Sequence, residues 1–170
     1  MHTGHLPFKI AIMIGESSAL EREDVAILRG AALFSDVSNE VVEPFLAKAS
    51  VRLLQNREIL FRPQHTAEFI FIVLRGKIQV YRGETAGKHA VLSVFLPGSA
   101  VALEAGLAQG IYGMTAEAVG MCRLLEIPAQ AFRTALANGG ALSSSVVRVL
   151  AQNLDEAFQQ LERIQLKPTS

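Results

Sequence analysis

Few residue types in this 170-residue chain could carry covalent or metal chemistry. The four histidines, His2, His5, His65 and His89, are scattered. An imidazole can ligate a metal or move a proton near neutral pH. His2 and His5 are terminal, His65 falls in a turn and His89 at a strand start, all ordinary places for an exposed histidine. The single cysteine, Cys122, excludes an internal disulfide, a four-cysteine zinc site and a four-cysteine iron–sulfur cluster. Placed in an expected strand, it reads as a small buried apolar residue. Ser143, Ser144 and Ser145 stand at a helix start, where capping is the natural role. No Ser/His/Asp set or paired carboxylates stand out, so no enzyme activity is expected. One absence is informative: no lysine or arginine occurs between Lys88 and Arg123.

Three kinds of segment must position these residues. Up to about residue 56 the pattern is helical. Ser18 and Glu21 are spaced as a capping box, which predicts a helix from near Leu20. A second helix follows Ser38, kinked by Pro44 or limited by it to about two turns. From about 50 to 127 the chain reads as β, with short β-branched and aromatic runs punctuated by Gly, Pro and polar turns. Glu58–Phe61 is one strand. Glu68–Leu74 is apolar from Phe69 onward at every position, as expected of a strand buried on both faces. Gly76 ends it, and Lys77–Arg82, His89–Leu96, Thr115–Ala118 and Met121–Ile127 follow. Short strands without long helices between them predict an antiparallel sandwich or barrel. Pro128 then opens a short helix that stops at Asn138-Gly139-Gly140, and a long helix runs from about Ala141 to Gln165.

The long helix carries Val147, Leu150, Leu154, Ala157, Leu161 and Ile164 at spacings of 3, 4, 3, 4 and 3. That a/d stripe is the seam of a coiled coil and predicts a homodimer. Val146, Val149 and Phe158 widen the apolar surface beside it.

Composition bounds the rest. Half the residues are hydrophobic and 19% are charged, so a folded domain is expected. Sixteen basic residues against sixteen acidic ones give no net charge, which argues against a free-standing nucleic-acid binder. No apolar run reaches the roughly 18–20 residues of a membrane span. The Phe8–Ile14 stretch is short, holds Lys9 and lacks a small-residue cleavage site, so it reads as an N-terminal strand or arm rather than a signal peptide. No membrane association and a cytoplasmic location are expected.

The order helix, β-roll, short helix, long helix resembles the effector domain of the CRP/FNR superfamily of transcription regulators. Ile59-Leu60-Phe61-Arg62 is similar to the strand before that family's first sharp turn. The stretch from Phe69 through Arg75-Gly76-Lys77 to Tyr81 resembles its most recognisable strand pair. Gly87-Lys88 and Pro97-Gly98 fall at its hairpin turns, and Ile127-Pro128 with Phe132 at its short helix. The resemblance covers about residues 25 to 166. It implies a mainly β fold with flanking helices: a double-stranded β-helix (jelly-roll) for a small effector, and a long C-terminal dimerisation helix. It divides the chain into an N-terminal arm (1–24), an effector-binding roll (25–140), the dimerisation helix (141–166) and the start of a linker (167–170). DNA would be bound through a domain outside this chain, which is expected to be a piece of a longer regulator. The alternatives are a stand-alone cyclic-nucleotide-binding-like module and, less favoured, a cupin-like enzyme, whose His-rich metal motif is absent.

The resemblance also locates a ligand pocket, and there the chain departs from the family. Cyclic-nucleotide binders place a Gly-Glu after a hydrophobic strand to hold the ribose, and an Arg-Ser or Arg-Thr about ten residues later to neutralise the phosphate. Here Ala102-Leu103, or Leu103-Glu104 with a one-residue slip, stands at the first place, and Tyr112-Gly113 at the second. A buried phosphate without a cation is very costly, so cyclic nucleotide is not the expected ligand. The expected pocket residues are Val101, Leu103, Glu104, Leu107, Ile111, Tyr112 and Met114. Such a lining suits an uncharged small molecule or a haem-like group, or closes on its own side chains. The Tyr112–Ala118 segment resembles nitric-oxide-responsive members, some of whose relatives bind haem, and His65 and His89 are then the candidate axial ligands. Gln64 stands where the family usually has a glycine.

Overall fold

The computed structural model describes residues 20–83 and 91–166. The expected Phe8–Ile14 arm, Ser18, His89 and the linker 167–170 lie outside these residues. In chain order the elements are α1 (Arg22–Gly30), α2 (Asn39–Leu46), β1 (Ser50–Leu54), β2 (Ile59–Phe61), β3 (Phe69–Tyr81) and β4 (Val91–Phe95). Then come β5 (Ala100–Val101), α3 (Leu103–Leu107), β6 (Thr115–Pro128), α4 (Ala129–Leu136) and α5 (Ala141–Leu166). This is the jelly-roll with flanking helices and a long final helix that the resemblance implies.

Two long strands build the roll. β3 and β6 pair antiparallel along their whole length, from Phe69 opposite Pro128 to Tyr81 opposite Thr115. Each then takes a different neighbour at each end. Near the start of β3, β1 pairs with β6 and β5 with β3. Near its end, β2 pairs with β6 and β4 with β3. The change of neighbours divides one sheet into two facing layers, and the register shifts between Val73 and Lys77 mark the bend.

Gly76 was expected to end the strand, yet β3 continues through it. The residue sits at φ +84°, and a Cβ there would lie 2.5 Å from the Met121 carbonyl oxygen and 2.7 Å from Cys122 Sγ. Glycine serves here as the bulge that lets the two long strands touch while bending, not as a stop. The same correction applies to β6, which runs unbroken through Gly120 where two strands were expected.

The alternation of β3 feeds two cores. Phe71, Val73, Ile78 and Val80 point between the layers with Leu54, Leu60, Ala116 and Leu124. Ile70, Ile72 and Leu74 point outward to a second core under the helices, with Leu28, Phe45, Leu125, Ile127, Phe132 and Leu142. The helices meet through Phe45, whose ring lies edge-on to Phe132 with centroids 5.2 Å apart.

The helix starts also differ in detail. α1 is capped at Glu21, whose backbone N–H donates to Asp24 at 2.7 Å, not at Ser18. Pro128 closes β6 and caps α4 instead of being its first residue. Ser143 Oγ donates to the Leu136 carbonyl at the end of α4, 3.3 Å away, so it serves the preceding helix. Among the described residues no helix is long and apolar enough to cross a membrane.

Candidate functional site

The site is built where β5 turns into α3. Gly98 (φ +92°) turns the chain after β4, and β5 pairs with Phe71 and Ile72. Ala102 then caps α3 in the left-handed region at φ +63°. An L-residue with a Cβ is strained there by roughly 1–2 kcal/mol, and this is where the resemblance expects glycine. The backbone bend therefore persists without the residue type that favours it. α3 is held close to the sheet by Gly106: a Cβ there would fall 2.6 Å from the Ile70 side chain. Its carbonyl also accepts from the Arg133 guanidinium of α4 at 2.6 Å.

The expected pocket residues separate into three groups. Val101, Glu104, Tyr112 and Met114 do line one cavity between the layers, together with Ala102 and Phe61. Leu103 and Leu107 turn the other way, into the core beneath the helices, because they stand four residues apart on one face of a helix, α3. Ile111 is about half exposed and bridges Thr66 at the surface.

That cavity holds only about 30 Å³, room for a water molecule and far below the roughly 300–1,000 Å³ of small-molecule pockets. Tyr112 accounts for much of the closure. Its ring stacks on Phe61 with centroids 3.9 Å apart and planes 13° from parallel, and its hydroxyl donates to the Phe69 carbonyl oxygen at 3.2 Å. Burial pushes the phenol pKa above its ordinary value. An aromatic ring thus occupies the position where the resemblance expects a phosphate-binding arginine.

The outer face of the same stack borders a second concavity, an open groove of about 500 Å³ at the β1–β2 end of the roll, reaching from Arg52 to the loop Gln64–Thr66. His65, one of the two haem candidates, lies exposed on its rim. The expectation from sequence concerned the interior; the groove had no signal there, because it depends on how the β2–β3 loop folds back onto residues 110–112. Gln64 N–H donates to the Tyr112 carbonyl, and Tyr112 N–H to the His65 carbonyl. Among the described residues no cluster of histidine, cysteine and carboxylates could hold a metal ion. Cys122 is buried, and its thiol lies 3.0 Å from the Lys77 carbonyl oxygen.

The expected dimer seam falls on the exposed part of α5. Leu142 and Val146 anchor the first turns in the helix-side core, and Leu150 is half-buried. Beyond them the apolar stripe faces solvent. Val147, Leu154, Leu161 and Ile164 are 66%, 56%, 52% and 69% exposed, Phe158 is 58% exposed, and Ala157 is exposed too. The polar flank faces β4, where Gln160 Nε2 donates to the Leu92 carbonyl at 3.1 Å.

Comparison with known proteins fits this geometry. A family profile described as "Cyclic nucleotide-binding domain" matches residues 51–138. A candidate cyclic nucleotide binding protein from Ruegeria pomeroyi has a similar solved structure, with 28% identity and a TM-score of 0.64 over 87% of this chain; the chain spans 65% of that protein's length. The sensor domain of the transcriptional regulator DNR from Pseudomonas aeruginosa superposes with a TM-score of 0.66 at 21% identity, covering 76% of this chain and 91% of that domain. Catabolite Activator Protein from Thermus thermophilus gives 0.66 at 21% identity, covering 79% of this chain and 63% of that one. At these identities the last two likenesses concern the fold. No curated protein matches the chain.

Proposed function

Because the chain belongs to the cyclic nucleotide-binding domain family, we propose that it is the sensor and dimerisation part of a transcription regulator whose effector is not a cyclic nucleotide. The observation that carries this reading is the Phe61–Tyr112 stack, at the place where the resemblance expects an anion site, beside an interior cavity of about 30 Å³. A cyclic nucleotide placed there would need both the room and a cation, and the chain offers no lysine or arginine from residue 89 to 122. The exposed stripe from Val147 to Ile164 supports pairing of two copies along α5. In that arrangement effector binding biases the helix pair, and the bias passes to a DNA-binding domain outside these residues. A dimeric transcription factor with a sensor roll acts by binding and repositioning, and catalysis has no part in it.

Isothermal titration with cyclic AMP and cyclic GMP tests this directly. No saturable heat at 1 mM ligand is expected; binding with 1:1 stoichiometry and micromolar affinity would overturn it.

A further inference from the structure

The open groove at the β1–β2 end has no role in the family arrangement described above, and its chemistry is specific. Phe61, Phe71 and Tyr112 are buried behind the groove, packed against one another, and half-buried Phe69 is the aromatic ring that reaches solvent there. Aromatic faces held in place favour another flat ring, offset-stacked or edge-on. The rim adds the Gln64 amide, the His65 imidazole and the Thr66 hydroxyl, which together offer both donors and acceptors. The loop carrying them is tied down by its backbone bonds to Tyr112 and by Ala67 N–H donating to the Gly110 carbonyl at 2.9 Å. The groove therefore exists before any ligand arrives.

Charge narrows the class further. Arg52 is the cation at the groove, and its guanidinium already contacts Glu126 at 3.2 Å. Glu68 lies on the same rim. One guanidinium, already paired with Glu126, is set against two carboxylates, Glu126 and Glu68, so the local charge discriminates against phosphates and carboxylates.

We propose that this groove is the effector site and that it takes a flat, uncharged aromatic compound with hydrogen-bonding groups along one edge. The proposal of an effector rests on the sensor reading; the binding site itself stands on the groove. A ligand stacked there presses on the ring pair whose other side faces Val101, Ala102 and Glu104, so occupancy is felt at the base of α3.

The test uses the full chain labelled with 3-fluorotyrosine, whose two tyrosines give two ¹⁹F resonances. Tyr112→Phe assigns them. The probe is naphthalene-2-sulfonamide, flat and uncharged with donors and acceptors on one edge, and naphthalene-2-sulfonate supplies the same ring system with a negative charge. Expected is a saturable shift of the Tyr112 resonance with the neutral probe, at least tenfold weaker binding of the sulfonate, and at least tenfold loss in Phe69→Ala. Phe158→Asp, on the exposed helix, leaves binding unchanged. Should Phe69→Ala lose its circular dichroism signature, Thr66→Glu on the exposed rim replaces it, with the same loss expected. A Tyr112 resonance that does not move, equal binding of the sulfonate, or loss of binding in Phe158→Asp overturns the site. The sensor reading fails differently: cyclic nucleotide then binds, or the chain sediments as a monomer, while the groove still takes the neutral probe.

Discussion

Asp24 accepts from Arg123 Nε at 3.0 Å and Nη2 at 2.8 Å, which fastens the first turn of α1 to the middle of β6. Both side chains are buried, at 2% and 8% exposure. The same carboxylate caps α1 by accepting from the Glu21 N–H. Its hydrogen bonds raise the already high pKa of Arg123, so the guanidinium stays charged at every accessible pH. Removing Asp24 takes the nearest carboxylate from a buried guanidinium that also lies 4.0 Å from Glu21, and breaking such a pair costs up to about 3–5 kcal/mol. Asp24→Ala is therefore expected to lower stability by about that amount in urea unfolding. Asp24→Leu combined with Arg123→Met should recover a large part of it, since no lone charge then remains.

The bends in the roll make a pair of opposite predictions. Ala102→Gly removes the left-handed strain at φ +63° and is expected to raise stability by up to about 1 kcal/mol, after the greater chain entropy of glycine is subtracted. Gly76→Ala puts a Cβ 2.5 Å from a backbone carbonyl at φ +84°, and is expected to cost several times as much. Shifted urea midpoints with unchanged slopes would check both.

Alkaline titration reports on the two tyrosines. Burial raises the pKa of Tyr81, and the adjacent Glu117 carboxylate, which accepts from its hydroxyl, raises it further. Burial raises that of Tyr112 also. Both exceed the ordinary 10.0, so the unfolded chain loses these protons first. Stability is then unaffected below pH 10 and falls as pH climbs from there through the folded-state values. Absorbance at 295 nm should show tyrosinate appearing later in the native protein than in urea, and coincident curves would contradict the packing around both rings.

Leu154→Asp tests the helix pairing. Leu154 is 56% exposed, so the folded subunit should lose no more than about 0.5 kcal/mol. Sedimentation equilibrium is expected to give twice the chain mass for the native protein and the single mass for the variant. An unchanged mass would remove the α5 seam from the account.

Much of this fold was written in local pattern. The unbroken apolar run Phe69–Leu74 announced a strand with a core on each side, and the structure divides it between two cores residue by residue. The α5 heptad was visible for the same reason, since it is a repeat along one element. What sequence hid depends on contacts between distant segments. Gly76 and Gly120 look like stops until β3 and β6 are laid together. β1, β5 and α3 went unrecognised: Arg52 interrupts the first, the second has two residues, and the third begins at an alanine in a glycine conformation. Of the pocket residues, Leu103 and Leu107 were assigned to the wrong side because α3 was unseen, and the groove beside His65 arises from tertiary closure of the β2–β3 loop.

The anchoring of α5 has a mechanical consequence. Only its first turns are buried in the core of the subunit, while roughly 24 Å of rod, at 1.5 Å per residue, extends past Leu150 with its polar flank against β4. A pivot of a few degrees at Val146 would sweep the tip near Ile164 through about 2 Å, on the order of the interface shifts that switch subunit packing. The Gln160–Leu92 hydrogen bond works as a stay on this lever, resisting any swing that draws the rod away from β4.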